Sequence, residues 1–353
     1  MKIAFILPSL ENRGPIIFTQ YLIDELKNNN IEIEVFYFNE AKTNSLNLNV
    51  KCRKISKFKK HDFTKFDIVH TTMALPDLYV SFFINKNKWI CSMHNELIKD
   101  VKMSHSKIKS FLIIKLWLSA IKKCREIIVS SNQMKFYYEQ LLKNKKINYS
   151  VIPYGIYEKK YSEILPDDFN KIDFFKSHSY KIIGSVGLLI PRKGFSQLFS
   201  LLEKDEKLAL VIIGDGFDRS NLEYEIKEKH LENRVFLPGF RNNSFNYYKY
   251  FDIYAHVSYS EGFGLAMLEA MSKKLPIICS NLAIYHDYFT DDDVSFFEPG
   301  NEKSLFLAYK KIINNFEKYK FSSYKLFSTM FNVKTMARNH IELYSDFIKS
   351  QNS

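Results

Sequence analysis

Short apolar runs alternate with helical stretches along this chain, and this alternation restricts the fold more than any other feature. In the first half, the apolar runs lie at 3–7, 31–38, 66–70, 89–93 and 127–130. The alternation resumes with runs at 181–187, 208–213, 235–240, 251–256 and 276–280. Such a pattern predicts parallel β-α units in doubly wound sheets of the α/β class. Because ligands of these sheets bind beyond the carboxyl ends of the strands, the loops after the runs are candidate functional sites.

The length of the chain, 353 residues, allows two domains of ordinary size, each with its own core. The stretch from Tyr157 to Tyr180 is charged and aperiodic, which is typical of a linker. We therefore predict an N-terminal domain at 1–170 and a C-terminal domain at 175–333. A last helix is predicted at about 334–353.

The composition excludes several classes of protein. A hydrophobic content of 46% excludes a disordered chain. The four cysteines are scattered and include no C-x-x-C pair, which argues against a zinc ribbon or a disulfide framework and favours a reduced, cytosolic setting. The first apolar run is too short for a signal peptide, and no stretch reaches the roughly 18 to 20 apolar residues that cross a bilayer.

The formal net charge is +12, from 51 Lys and Arg residues against 39 Asp and Glu residues. Nucleic acid, anionic lipid and the phosphates of a nucleotide sugar are three acidic partners that this charge would fit. A compositional bias of the source genome explains the richness in Lys, Asn, Ile, Phe and Tyr equally well. The charge by itself therefore does not choose a partner.

Two glutamates flank a predicted strand-to-helix turn. Glu261 lies in the turn before Gly262 and Gly264, and Glu269 lies about a turn and a half into the predicted helix. The glycines remove side-chain bulk, so that backbone N–H groups at the helix start can approach an anionic ligand. This arrangement predicts a diphosphate at the helix start, with each carboxylate binding a hydroxyl-bearing group.

The string Ser-x-x-Glu-Gly-Phe-Gly-x-x-x-x-Glu, from Ser258 to Glu269, resembles the E-x7-E signature of the retaining, GT-B-fold glycosyltransferases of family 4, the group 1 type. Further matches follow in order along nearly the whole chain. The resemblance implies a GT-B architecture of two Rossmann-like domains facing a cleft, with the acceptor on the N-terminal domain and a nucleotide sugar on the other. It also implies that the last helix packs back towards the first domain and that neither a metal nor another cofactor is needed.

The resemblance assigns roles to individual residues. Glu261 would orient the hydroxyls of the donor sugar, Glu269 would hold the ribose, and His94 would contact the sugar. Lys193 would grip the diphosphate, and we predict that the neighbouring Arg192 does so with it, which makes both catalytic together with Glu261 and His94. The remaining donor-binding candidates are Gly14, Gly239, Phe240, Arg241, Ser260, Gly262, Phe263, Gly264 and Leu265.

Three positions depart from the family pattern. Pro15 stands where a second glycine is usual, so one expected backbone N–H is missing. Tyr154 replaces the asparagine of the Pro-Asn-Gly match. Leu188 replaces an arginine, and Arg192 is predicted to supply the missing charge, since a guanidinium can grip two phosphate oxygens at once.

The segment 97–125 combines basic and apolar residues. It has the single acid Asp100 against eight basic residues, namely Lys99, Lys102, Lys107, Lys109, Lys115, Lys122, Lys123 and Arg125. One interpretation is a helix that lies on an anionic membrane with its lysines at headgroup level. The other is a sheet-covering helix with solvated basic ends. Because the apolar residues go almost all the way round, the sequence favours neither.

The predicted activity is transfer of a hexose-type sugar, with retention, from a UDP-sugar or a GDP-sugar to a hydroxyl of a glycan or lipid-linked glycan, in surface polysaccharide biosynthesis. We predict a cytoplasmic enzyme, peripheral on the inner face of the plasma membrane if the basic segment binds lipid. A GT-B-fold epimerase or phosphorylase is the alternative, and a basic nucleic-acid-binding protein is a distant one. The acids at 291–293 are predicted to be solvated turn residues rather than metal ligands.

Overall fold

The computed structural model of the chain describes residues 1–41, 45–104 and 106–352. These residues form two compact units. The first contains Met1–Tyr157 and the segment that begins at Met330, and the second contains Glu158–Thr329. The chain therefore leaves the first unit once and returns to it once.

The first unit is built on a sheet of seven parallel strands. They are β1 (Lys2–Ser9), β2 (Glu32–Asn39), β3 (Lys51–Lys54), β4 (Ile68–Thr72), β5 (Trp89–Met93), β6 (Glu126–Val129) and β7 (Asn148–Val151). Their order across the sheet is β3-β2-β1-β4-β5-β6-β7. The direction of winding reverses between β1 and β4, where Ile3 pairs with Ile33 on one side and with Ile68 on the other.

Helices cover the faces of this sheet. The first five are α1 (Gly14–Asn28), α2 (Ala74–Phe83), α3 (Leu97–Ser104), α4 (Lys107–Ile121) and α5 (Asn132–Leu142), with a short 3-10 helix at Lys86–Lys88. Pro15 lies in the first turn of α1, where its missing N–H leaves no helical bond unmade. The hydroxyl of Ser131 caps α5 by accepting a bond from the backbone N–H of Met134. These local signals set the points at which the helices begin.

The second unit contains a sheet of six parallel strands in the order β10-β9-β8-β11-β12-β13. They are β8 (Lys181–Val186), β9 (Leu208–Ile213), β10 (Val235–Gly239), β11 (Ile253–His256), β12 (Ile277–Ser280) and β13 (Ser295–Phe297). All six residues of β9 are buried, as expected for a parallel strand covered on both faces. Here the winding reverses between β8 and β11, which is the usual ligand-binding point of such sheets.

The helices of the second unit are α6 (Pro166–Ser177), α7 (Phe199–Lys204), α8 (Arg219–Glu228), α9 (Leu265–Ser272), α10 (Glu302–Asn314) and α11 (Phe316–Thr329). Short 3-10 helices lie at Pro191–Lys193, Phe195–Leu198, Ser244–Tyr250 and Ala283–Tyr285. None of the helices in the described ranges combines the length and the apolar character needed to span a bilayer.

Helix α6 corrects the prediction of a linker between Tyr157 and Tyr180. Pro166 begins the helix, and Ile172 and Phe175, three residues apart, are buried against the sheet. The sequence looked aperiodic because the remaining positions of this helix are mostly charged or exposed. The predicted domain limits at 170 and 175 fall inside α6.

The last helix, α12 (Val333–Asn352), belongs to the first unit and packs against α1. Tyr344 of this helix reaches the sheet, and its hydroxyl lies 2.7 Å from Nδ1 of His70 on β4. Met336, Ala337 and Tyr344 are fully buried. The C-terminal segment is therefore part of the core of the N-terminal unit.

Candidate active site

A group of buried, charged side chains lies where the sheet of the second unit reverses. The loop 187–194 follows β8 and the loop 257–264 follows β11, so both leave the carboxyl edge at the same point. The backbone N–H of Tyr259 donates to the carbonyl oxygen of Arg192 at 2.8 Å and joins the two loops. The structure thus brings together two motifs that are about 70 residues apart in the sequence.

Glu261 is the centre of this group, and its side chain is only 6% exposed. Its Oε1 accepts hydrogen bonds from Nζ of Lys193 and, at 2.6 Å, from the hydroxyl of Ser258. Nη1 of Arg192 lies 3.5 Å from Oε2. Burial alone would raise the pKa of this carboxyl, but the nearby Lys193, His256 and Arg192 hold the pKa at about 2. Glu261 is therefore a buried carboxylate that stays ionised.

Gly194 fits the two loops together. Its φ is +64°, and a Cβ at this position would lie 2.4 Å from the carbonyl oxygen of Val257. A larger residue would push the loops apart and move Lys193 away from Glu261. In the Lys-Gly pair, Lys193 thus supplies the positive charge and Gly194 allows the close approach of the two loops.

Helix α9 begins directly after the turn that carries Glu261. Gly264 precedes the helix with a φ of +104°, and a Cβ there would lie 2.8 Å from Nε2 of His256. Phe263 is buried and its ring contacts Tyr288, so its side chain fills the core rather than the site. The N–H of Met267 donates to the carbonyl oxygen of Gly264 at 3.1 Å, and the N–H groups of Leu265 and Ala266 lie at the very start of α9, a position that favours an anion.

Glu269 lies further along α9 and has partners of its own. Nζ of Lys159 donates to its Oε1 at 2.9 Å, and the hydroxyl of Tyr248 donates to its Oε2 at 3.2 Å. The side chain of Glu269 is 14% exposed. The structure therefore holds the second glutamate of the motif in a fixed position, separate from the Lys193 cluster.

The loop after β10 contains the predicted base contacts. Gly239 has a φ of +89°, and the side chain of Phe240 is 57% exposed. The guanidinium of Arg241 donates to both oxygens of Asp168, at 2.7 and 2.9 Å, and the hydroxyl of Tyr247 donates to the same carboxylate. Since its guanidinium is bound in this way, Arg241 offers its backbone rather than its charge to a ligand.

In the first unit, His94 directly follows β5 and is almost fully buried. Its Nδ1 lies 2.5 Å from the hydroxyl of Tyr154, and its Nε2 lies 2.6 Å from the hydroxyl of Thr72. Burial lowers the pKa of His94 to about 3, with a smaller contribution from His340. The residue is therefore neutral near pH 7, and Tyr154, the departure from the family asparagine, fixes its ring.

The other predicted positions are distributed as follows. Gly14 starts α1 in open space, since a Cβ there would have nothing within 4 Å. Leu188 is 57% exposed. The backbone oxygen of Ser260 accepts from Nη1 of Arg192 at 2.5 Å, so Ser260 belongs to the Glu261 cluster.

Several residues that contact the predicted site residues were assigned no role from the sequence: Ser258, His256, Tyr285, Tyr248, Lys159 and Asp168. The available signal was His256, a histidine at the end of an apolar strand that directly precedes the motif. Lys159 and Asp168 lie in the charged, aperiodic stretch 157–180, where the sequence contains no motif that indicates a functional residue.

Within the described ranges, no group of three or more His, Cys, Asp or Glu side chains is arranged to hold a metal ion. The acids at 291–293 contact neighbouring side chains instead. Asp291 pairs with Lys311 at 3.0 Å and Asp292 pairs with Lys318 at 2.6 Å. Asp293 accepts from the hydroxyl of Thr290 at 2.8 Å.

Comparison with known proteins identifies relatives of the chain. Residues 167–324 match the family described as "Glycosyl transferases group 1". The O-antigen biosynthesis glycosyltransferase WclY of Escherichia coli is 27% identical over 358 residues, covering 99% of this chain and 99% of the relative. A UDP-Gal:alpha-D-GlcNAc-diphosphoundecaprenol alpha-1,3-galactosyltransferase of Escherichia coli is 29% identical over 239 residues, which cover 65% of this chain and 61% of the relative.

Solved structures share the fold. The structure of Anabaena Alr3699/HepE in complex with UDP superimposes with a TM-score of 0.79 at 17% identity, covering 98% of this chain and 100% of that chain. WaaG, described as a glycosyltransferase involved in lipopolysaccharide biosynthesis, gives a TM-score of 0.70 at 14% identity and covers 97% and 99% of the two chains. The chain therefore has the GT-B fold of these glycosyltransferases, and its residues 167–324 match the group 1 family.

Proposed function

We propose that this glycosyltransferase moves a hexose-type sugar, with retention of anomeric configuration, from a nucleotide sugar to a hydroxyl of a glycan or lipid-linked glycan in surface polysaccharide biosynthesis. The observation that carries the proposal is the ionised, buried Glu261 with Lys193 and Arg192 beside the start of α9. A buried carboxylate next to two cations and a helix start suits a ligand that has hydroxyls on one side and a diphosphate on the other.

The proposed mechanism is mainly electrostatic. When the bond between the anomeric carbon and the diphosphate breaks, negative charge develops on the leaving group. Lys193, Arg192 and the N–H groups of the first turn of α9 stabilise that charge. The acceptor oxygen forms its bond on the same face of the sugar, and its proton passes to the departing diphosphate. Retention follows from this front-face route.

The remaining roles follow from the positions of the side chains. Glu261 accepts hydrogen bonds from the sugar hydroxyls, and Glu269 accepts them from the ribose. His94, neutral and fixed by Thr72 and Tyr154, is assigned to the sugar by the family resemblance. The proposed mechanism needs no metal ion to stabilise the leaving diphosphate, because Lys193 and Arg192 supply the positive charge there.

UDP is the favoured nucleotide. One relative is named as a UDP-Gal-dependent galactosyltransferase, and the HepE neighbour was solved with UDP. GDP-sugars remain the second choice. One relative is named for O-antigen biosynthesis and another for a GlcNAc-diphosphoundecaprenol, and both names support a lipid-linked glycan as the acceptor.

A thermal-shift screen with UDP, GDP, ADP and their sugars tests the donor assignment. A ligand that binds only the folded state raises the melting temperature, so one nucleotide series is expected to stabilise the protein above the others. Turnover of the stabilising nucleotide sugar should require an added acceptor alcohol. Turnover without an acceptor would instead indicate an epimerase, and no stabilisation by any nucleotide would contradict the proposal.

Helix α4 supports a membrane-bound acceptor. Its exposed face contains four large apolar side chains at helical spacing, Ile108, Phe111, Leu112 and Leu116, which are 53 to 80% exposed. The opposite face packs inward, and Nε1 of Trp117 donates to the buried Asp77 of α2 at 2.7 Å. The helix therefore covers the unit with one face and presents an apolar stripe with the other.

Basic residues surround this stripe. Lys107, Lys109 and Lys115 lie on α4, and Lys122 and Lys123 follow it. Each basic residue near an anionic bilayer contributes on the order of 1 kcal/mol, an effect that salt screens. We propose that α4 lies on an anionic membrane, with its apolar stripe at the level of the acyl chains and its lysines at the headgroups.

Co-sedimentation with vesicles tests this surface. Binding is expected with vesicles that contain phosphatidylglycerol, and it should weaken as salt rises. Changing Lys107, Lys109, Lys122 and Lys123 to glutamine should reduce binding, as should Phe111→Ser with Leu112→Ser. The matched control is Phe321→Ser on α11, a side chain that is 70% exposed among lysines elsewhere. Protein that stays in the supernatant at low salt would contradict a membrane surface and favour a soluble acceptor.

A further inference from the structure

His256 is a buried histidine for which the proposed mechanism has no role. It ends β11, and its neighbours Ala255 and Val257 are apolar and buried. Its side chain is only about 5% exposed, directly beneath the turn that carries Glu261. A polar group at such a position costs folding energy unless it has partners.

The partners of His256 belong to the donor site. Its Nε2 lies 2.7 Å from the hydroxyl of Tyr285 and 3.6 Å from Oε1 of Glu261. The second distance is too long for a hydrogen bond but short enough for a strong electrostatic interaction. Gly264, at the start of α9, packs against the same ring nitrogen. His256 therefore contacts both the glutamate and the helix start.

The charge of His256 depends on its neighbours. Burial lowers its pKa to about 4, Lys193 and Arg192 lower it as well, and Glu261 acts in the opposite direction. The other titratable groups that pack around it are Tyr254, Cys279 and Tyr285, and burial raises the pKa of each of them. Near neutral pH, the ionised groups around the ring are thus Glu261 and the two cations.

Donor binding would change this balance. The argument rests on the proposed function, in which Lys193 and Arg192 bind the diphosphate. Both cations then shift their charge towards the phosphates and away from Glu261, while negative charge is added beside the site. Each of these changes favours the protonated form of His256, since the groups that opposed its charge are neutralised.

We propose that His256 is a positioning residue that takes up a proton when the donor binds and replaces Lys193 and Arg192 as the counter-charge of Glu261. The imidazolium so formed would keep the Glu261 carboxylate in place for the sugar hydroxyls. Donor binding would be coupled to proton uptake, and the donor would bind more tightly as pH falls.

Isothermal titration calorimetry measures this coupling. UDP-glucose or UDP-galactose is titrated at about pH 6 in phosphate and in a second buffer with a different heat of ionisation. The number of protons follows from the difference in heat, and at most about one proton per donor is expected. The nucleotide sugar itself has no phosphate monoester, the group whose second pKa is near 6, so the proton is taken up by the protein.

Three variants identify the group that takes the proton. His256→Gln and His256→Leu should still bind the donor, with no proton uptake and with an affinity that no longer rises as pH falls from about 8 to about 6. They should also lower kcat more than they raise KM, because Glu261 is less well fixed. His178→Gln, which removes an exposed histidine from the same unit, is the control and should behave like the wild type.

The outcomes separate this inference from the proposed function. Absence of binding by every nucleotide sugar would overturn both. Binding without proton uptake in the wild-type protein, which requires no variant, would overturn the role of His256 alone. Proton uptake that persists in His256→Gln would also overturn it, and would assign the proton to another group of the protein.

Discussion

Each unit buries a polar side chain near the end of a strand, and the two side chains are stabilised in different ways. In the second unit, Glu261 is ionised and is balanced by Lys193 and Arg192. In the first unit, His94 is neutral and is held by the hydroxyls of Thr72 and Tyr154. One group depends on charge and the other on hydrogen-bond geometry.

This difference indicates how each group should respond to a ligand. In the proposed function the charged cluster must redistribute its ion pairs when the diphosphate binds, so its residues should affect both binding and rate. A neutral network has no charge to redistribute near pH 7, so its residues affect the orientation of a ligand more than its affinity. The following predictions test that contrast, from the largest expected effect to the smallest.

Lys193→Ala is expected to have the largest effect. The variant removes a cation from both Glu261 and the leaving diphosphate, so donor affinity and kcat should both fall. By analogy with the loss of one charge-stabilising group in other enzymes, kcat should fall about 10²-fold to 10³-fold. Lys204→Ala removes an exposed lysine of the same unit and is the control. Unchanged kcat and donor affinity in Lys193→Ala would contradict the proposal that the charge of Lys193 stabilises the donor diphosphate.

Glu269→Gln should weaken donor binding and leave kcat less affected, because Glu269 is assigned to the ribose rather than to the reacting bond. Loss of a hydrogen bond to a charged group corresponds to roughly 10-fold to 100-fold in affinity. Equilibrium binding of the stabilising nucleotide measures the change. Glu317→Gln, on the exposed surface of α11, is the matched control. Equal affinity in the wild type and Glu269→Gln would contradict the assignment of the ribose.

His94→Ala should lower kcat with little effect on nucleotide affinity. Because the residue contributes hydrogen bonds rather than charge, the loss should be on the order of 10-fold. Tyr154→Phe removes one of the two hydroxyls that fix the ring, and should cause a smaller loss of the same kind. An unchanged kcat in His94→Ala would indicate a purely structural role for this residue. A large loss of donor affinity would contradict the expectation that residues of the first unit affect rate more than binding.

Exhaustive EDTA treatment should change activity least, since we assign the positive charge of the site to Lys193, Arg192 and the start of α9. The measurement is the initial rate before and after chelation. A chelated enzyme that recovers activity only on addition of Mg²⁺ or Mn²⁺ would show that these groups do not suffice.

The sequence predicted most of the strands, because apolar runs such as 89–93 and 208–213 have no other stable position than a covered parallel sheet. Strand β3 escaped prediction, since Lys51–Lys54 is polar and largely exposed at the edge of the sheet. Helix α6 was missed for the related reason that its buried residues are few. Periodicity detects elements that bury a full face and overlooks those that bury little.

For the site, the sequence indicated Glu261, Lys193 and Glu269 through spacing and family resemblance. It did not indicate Lys159 or Tyr248, which reach Glu269 from other parts of the second unit. Nor did it indicate that Tyr154 would bind His94, since the two are 60 residues apart. Contacts of this kind depend on how strands pair, and no local pattern encodes them.

The two places where the chain passes between the units lie side by side in the first unit. Ile156 forms a parallel bridge with Asn332, its N–H donates to the carbonyl oxygen of Phe331 at 2.9 Å, and Gly155 packs so tightly there that a Cβ would lie 2.4 Å from the oxygen of Asn332. The second unit is therefore formed by one continuous segment of the chain, Glu158–Thr329, and the first-unit residues that flank this segment on either side are neighbours. We call this segment the cassette. A chimera could exchange this cassette for that of a relative with another donor through two junctions, without cutting either sheet. If the second unit binds the donor as proposed, such an exchange would change the transferred sugar while the first unit stays the same.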